Sequence, residues 1–72
     1  MIFGPRYPER RTGIVNLKNN VAIKGVIWRR AGEWLVLRNA EYIEGRKGNL
    51  PMDGEILIRM AEVLFVQIVE PG

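Results

Sequence analysis

The stretch Glu55-Ile56-Leu57-Ile58-Arg59-Met60-Ala61-Glu62-Val63-Leu64-Phe65-Val66-Gln67-Ile68-Val69 decides the fold, because it reads either as one long helix or as two strands. Arg59 through Glu62 are good helix formers. Against them, Ile56, Ile58, Val63, Val66, Ile68 and Val69 are β-branched, which stiffens the side chain and suits a pleated surface. Arg59 and Glu62 break the apolar run where a tight turn can sit. The pattern predicts two strands, at about 54–60 and 63–69. Val63-Leu64-Phe65-Val66 is apolar at every position, and in a 72-residue domain these cannot all face one core. An uncovered apolar strand is a template for pairing with another chain's edge. Val63, Leu64, Phe65 and Val66 are therefore the expected contact with a neighbouring copy.

Working outward, short apolar runs alternate with turn signals at Asn19-Asn20, Ala31-Gly32, Gly45 through Pro51 and Asp53-Gly54. That punctuation predicts three further strands at about 14–18, 21–29 and 33–43, hence an all-β barrel or sandwich. Side-chain parity sets the first hairpin, because a one-residue slip turns a whole strand face outward. Val15 and Leu17 form one set, and Val21, Ile23 and Ile27 the matching set. A loop of Lys18, Asn19 and Asn20 places Leu17 opposite Val21, whereas a two-residue loop would place it opposite Ala22. The longer loop ends in a left-handed residue, and asparagine tolerates that conformation, so Asn20 is assigned to it. Gly25 inside the second strand marks a bulge or sharp bend.

Hydrophobic residues make up 47% and charged residues 26%, a globular composition that excludes disorder. A chain this short buries only about 60% of its unfolded surface. With no cysteine, neither disulfides nor thiolate metal sites add a staple, which leaves self-association. Residues 1–13 carry Gly4, Pro5, Pro8 and Gly13, which exclude a long regular helix and leave a basic arm with Arg6, Arg10 and Arg11. It is either a solvated terminus or a tail that contacts a polyanion. Residues 14–70 form the barrel domain. Neither a signal-peptide-like run nor about 18 consecutive uncharged apolar residues is present, so a cytoplasmic protein with no membrane partner is expected.

The chain has no His, Cys or Ser, and its only side-chain hydroxyls are Thr12, Tyr7 and Tyr42. Nucleophilic catalysis has almost no material. The carboxylates Asp53 and Glu55 flank a turn glycine, while Glu41 and Glu44 sit beside a glycine-basic loop, and none has an oriented partner in the sequence. A non-enzymatic protein without cofactor, metal or small-molecule substrate is expected. Eleven Lys/Arg against eight Asp/Glu give a net charge of +3, which permits nucleic acid without demanding it.

Val15-x-Leu17-Lys18-Asn19-Asn20, then Gly25-x-Ile27, then Leu35-Val36-Leu37-x-Asn39-Ala40-Glu41, and finally Ile58-Arg59 followed by Val63 and Val66, occur in the order and spacing of the two motifs of the Sm-like (LSm) family. The resemblance covers about residues 14 to 69 and implies a strongly bent five-stranded Sm-like (SH3-like) barrel. It further implies that the fourth strand pairs with the fifth strand of the next copy, closing a homo-oligomeric ring and adding Ile56 and Ile58 to the contact made by Val63, Leu64, Phe65 and Val66. Family members handle RNA with an Asp and a Met-Asn pair between strands two and three, and a Gly after the second-motif Arg. Here that loop reads Arg29-Arg30-Ala31-Gly32-Glu33-Trp34, with Trp34 at the Asn position and Met60 in place of the Gly. An indole has one donor and no acceptor, so it cannot read a base edge as the amide does.

Arg59 corresponds to the family's Arg that packs against a bound base; alone it reads equally as a turn or ion-pair residue. Trp34 is either a stacking platform or a filler of core and interface space. Arg29 and Arg30 beside Trp34 have the composition of a single-strand binding surface. Trp28, opposite in parity to Ile27, covers the outside of the barrel or a subunit contact, and Arg46-Lys47 reads as a hairpin tip. Two functions follow. One is a ring binding single-stranded RNA through Arg29, Arg30, Trp34 and Arg59. The other is a structural or assembly ring that makes protein contacts and has lost the RNA pocket; the run Leu35 to Ala40 with Asp53-Gly54-Glu55 is similar to small phage-encoded Sm-like proteins.

Overall fold

In the computed structural model, residues 10–45 and 48–69 are described; the arm residues before Arg10, including Arg6, and the tip Arg46-Lys47 lie outside them. Six strands follow in order: β1 (Arg11–Leu17), β2 (Ala22–Ala31), β3 (Trp34–Ile43), β4 (Asn49–Pro51), β5 (Ile56–Arg59) and β6 (Val63–Ile68). All pairings are antiparallel, in the order β4-β3-β2-β1-β6, with β5 also on β3. The Glu55–Val69 stretch is thus two strands, joined by a single 3₁₀ turn over Met60–Glu62. β1 begins at Arg11, opposite Ile27, so residues 11–13 assigned to the arm belong to the sheet.

The first hairpin follows the parity of its apolar residues. Asn16 faces Ala22, Leu17 N–H donates to Val21 O at 2.8 Å, and Asn20 N–H donates to Leu17 O at 3.1 Å. Asn20 takes the left-handed conformation with φ 69°. Asn19 Oδ1 accepts from Val21 N–H at 3.1 Å, an Asx turn that closes the loop.

The bend lies where β1, β2 and β3 cross at glycine. Gly13 and Gly25 face each other across β1 and β2. On the other side of β2 the register slips by one between Lys24 and Val26, leaving Asn39, φ 52°, as the extra residue of β3. A Cβ at Gly25 would stand 3.1 Å from both Ala40 Cα and Arg38 O, so the bulge packs tightly over a bare α-carbon and a side chain there would push the β3 backbone back by a few tenths of an ångström.

Val15, Ile23, Ile27, Leu35, Leu37, Ala40 and Ile58 form the buried core inside this bend. Each large aliphatic side chain fully buried there contributes about 1.5–3 kcal/mol. The expected fourth strand is split. β4 faces Glu41 to Ile43 and β5 faces Trp34 to Leu37, so the two share one edge of β3 as an interrupted strand. Pro51 ends β4 and Gly54, φ 74°, turns the chain between them.

Candidate nucleic-acid interface and open strand edges

The β2–β3 hairpin closes with Ala31 opposite Trp34 around Gly32-Glu33, and Gly32 takes φ 60° as a two-residue turn with glycine first requires. Arg30 Nε donates to Gly32 O at 2.9 Å, which ties that exposed side chain to its own turn. On the far side of β3, Trp34 faces Arg59, and Met60 N–H donates to Glu33 O at 2.7 Å, locking the β5 end to the hairpin. The Arg59 guanidinium carbon lies 4.9 Å from the centroid of the Trp34 ring, which is 38% exposed. The structure therefore joins Trp34 and Arg59 from distant parts of the sequence into one cation–π pair, with exposed Arg29 opposite Val36 one row along.

A second basic-aromatic group was not assembled from the sequence. The register slips between Ile27 and Arg29, making Trp28 the extra residue of β2, and Arg10 and Arg38 place their guanidinium carbons 4.0 and 4.1 Å from its centroid. Arg38 Nε and Nη2 both reach Glu55 Oε2 at 2.8 Å. The available signals were parity alone: Trp28 opposes Ile27 and Arg38 opposes Leu37.

The two edges of the sheet have no partner among the described residues: β4 and β5 pair only with β3, and β6 only with β1. A bulge explains the fully apolar run on β6. Asn16 faces Phe65 while Leu17 faces Val63, so Leu64 is the extra residue and both Leu64 and Phe65 turn outward, 61% and 53% exposed. Val63 and Val66 pack against the core, as does Ile56. Ile58, expected at a subunit contact, points into the core with its neighbour Leu35 opposite; the exposed apolar side chain of β5 is Leu57, at 57%. Among the described residues no group of three His, Cys, Asp or Glu could hold a metal ion, and no helix is long and apolar enough to cross a membrane.

A bent all-antiparallel sheet, its fourth strand split and its two edges open beside a short 3₁₀ turn, is the Sm-like fold. A heptameric archaeal Sm protein is similar with a TM-score of 0.72 and 24% identity, over 85% of this chain and 88% of that one. The SmAP1 heptamer of P. aerophilum is similar with a TM-score of 0.72 and 26% identity, over 88% of this chain and 82% of that one. No family model and no curated protein matches the chain.

Proposed function

We propose that the chain is a non-enzymatic, cytoplasmic subunit of a homo-oligomeric ring that binds single-stranded RNA through Arg29, Arg30, Trp34 and Arg59. The Trp34–Arg59 pair carries the reading, because it joins an indole that is 38% exposed to a cation with no carboxylate partner among the described residues. A base stacks on the indole or on the guanidinium plane, and the phosphates meet Arg59 and Arg29. Ring closure is supported by the open edges of β5 and β6 and by Leu57, Leu64 and Phe65 beside them. Pairing β5 of one copy with β6 of the next is a head-to-tail contact, which closes when the rotation divides the circle. Both similar Sm proteins are heptamers, which supports the same mode here.

Fluorescence anisotropy with short U-rich and A-rich RNAs at two salt concentrations tests the RNA reading. Binding is expected to tighten at low salt; no binding below roughly 100 μM there rejects it, since phosphate contacts alone give that affinity. Sedimentation showing a stable monomer at micromolar concentration rejects the ring. A second reading, an assembly ring of the phage-encoded kind that contacts protein, is favoured by Arg59 lying over the Trp34 ring, which leaves less of that ring open to a base.

A further inference from the structure

We propose that the outward face of β2 and β3 carries a second contact for single-stranded nucleic acid, made by Arg10 and Arg38 where they share the Trp28 ring. This rests on the polyanion reading above and extends it from one corner of the hairpin to a track along the sheet.

Charge is the first support. Two guanidiniums within about 4 Å of one ring centroid repel each other, and among the described residues only Glu55 pairs with either. One positive charge is left over. A phosphate that meets the outer edge of either guanidinium offsets that charge, and the indole holds both cations in place for such contacts.

Backbone conformation is the second. Arg10 has φ 64°, an uncommon region for a residue with a side chain, and its N–H donates to Ile27 O. The chain is thus pinned at the one peptide that directs this arginine toward Trp28, and strained residues of this kind gather at binding sites.

Alignment is the third. Leu35 and Leu37 point into the core, so Trp34, Val36 and Arg38 lie on the other face of β3, where Val36 is covered, 4% exposed, between the exposed Trp34 and Arg38, with Arg59 opposite Trp34 and Arg29 opposite Val36. At about 3.3 Å per residue, Trp34 and Arg38 stand roughly 13 Å apart. Four arginines and two tryptophans therefore lie along a line that a few nucleotides of single strand can follow.

Single-tryptophan variants separate the two contacts, with a ten-nucleotide oligouridylate as the probe. Trp34→Phe leaves Trp28 as the only indole, and its emission is expected to change saturably with RNA at the concentration seen by anisotropy. Arg10→Ala/Arg38→Ala is expected to weaken binding about tenfold and to flatten the log–log salt dependence by about 1.4, at about 0.7 per lost phosphate contact. Arg10→Lys/Arg38→Lys restores most of that salt slope. If Trp28 emission is silent and the double alanine variant binds like the parent, while Trp34→Ala weakens binding, the second contact is wrong and the first stands. If the parent protein binds no oligouridylate, both fall. Should the double alanine variant fail to fold, the Trp28 emission titration in the Trp34→Phe protein decides the matter alone.

Discussion

Arg59 stands directly opposite Trp34 across β3 and β5, its guanidinium carbon 4.9 Å from the indole centroid. Each residue helps fix the other, so both are expected to matter for RNA and to be coupled. Trp34→Ala and Arg59→Ala should each weaken RNA binding by about 1–3 kcal/mol, the worth of one stacked base. In an unfolding double-mutant cycle the pair should show about 0.5–1 kcal/mol of coupling, the value of an exposed cation–π contact. Additive effects on stability would show that the guanidinium does not rest on the ring in solution.

Gly25 is the hinge of the bend. A methyl group there meets the α-carbon of Ala40 and the carbonyl of Arg38, both backbone atoms that cannot swing aside. Gly25→Ala should destabilise the domain by about 1–3 kcal/mol, read as a lower urea midpoint at unchanged slope. At Gly13 a Cβ would stand 2.8 Å from Cδ1 of Ile27, a fully buried core side chain, and 3.2 Å from Gln67 O. Gly13→Ala should therefore also destabilise the domain, and a Gly25→Ala protein as stable as the parent would contradict the close approach at the bulge.

Asn20 carries the left-handed turn with φ 69°. Asn20→Ala should cost about 1 kcal/mol, because a Cβ there crowds the following carbonyl without the local hydrogen bonding of the amide. Asn20→Gly should stay within about 0.5 kcal/mol of the parent. Thermal or urea unfolding of the three proteins measures both.

The sequence shows those features that depend on nearest neighbours. Lys18 to Asn20, the break at Arg59 to Glu62 and the bend at Gly25 are all legible, because loop length, β-branching and a missing side chain act locally. What it hides is the bulges. An extra residue at Trp28, Asn39 or Leu64 inverts parity beyond that point, and nothing in the local composition announces it. Hence Leu64 and Phe65 turn out together and Arg10 meets Trp28 from eighteen residues away; on β5, which has no bulge, Ile58 pairs with the core residue Leu35 and Leu57 is the exposed side chain. The short β4 is hidden for another reason. Asn49-Leu50-Pro51 is too brief and too polar to read as a strand, and it exists because β3 extends far enough to receive it.

Leu57, Leu64 and Phe65 are exposed apolar side chains on strands whose edges have no partner among the described residues. Leu57→Asp and Phe65→Asp should convert the assembly to monomer in sedimentation while leaving the far-ultraviolet circular dichroism unchanged, because neither side chain belongs to the core cluster. Ile58→Asp should instead unfold the chain, since it places an unpaired charge in the core. If Leu57→Asp and Phe65→Asp both keep the assembled mass, the copies meet through another surface.

Glu55 holds Arg38 through Oε2 at 2.8 Å, with both side chains about half exposed. A pair so open to water contributes about 0–1 kcal/mol to stability, so Glu55→Gln should move the unfolding midpoint little. Its effect on binding should be larger. Removing the carboxylate frees the Arg38 guanidinium and deletes a negative charge beside the track from Trp34 to Trp28, so RNA affinity should rise several-fold at low salt and converge on the parent at high salt. Glu62→Gln is the control: that carboxylate is exposed on the 3₁₀ turn and pairs with no residue of the track, so it changes the net charge equally without releasing Arg38. Equal gains from both variants would assign the effect to net charge and remove Arg38 from the site, whereas a gain confined to Glu55→Gln identifies Glu55 as the group that competes with phosphate for it.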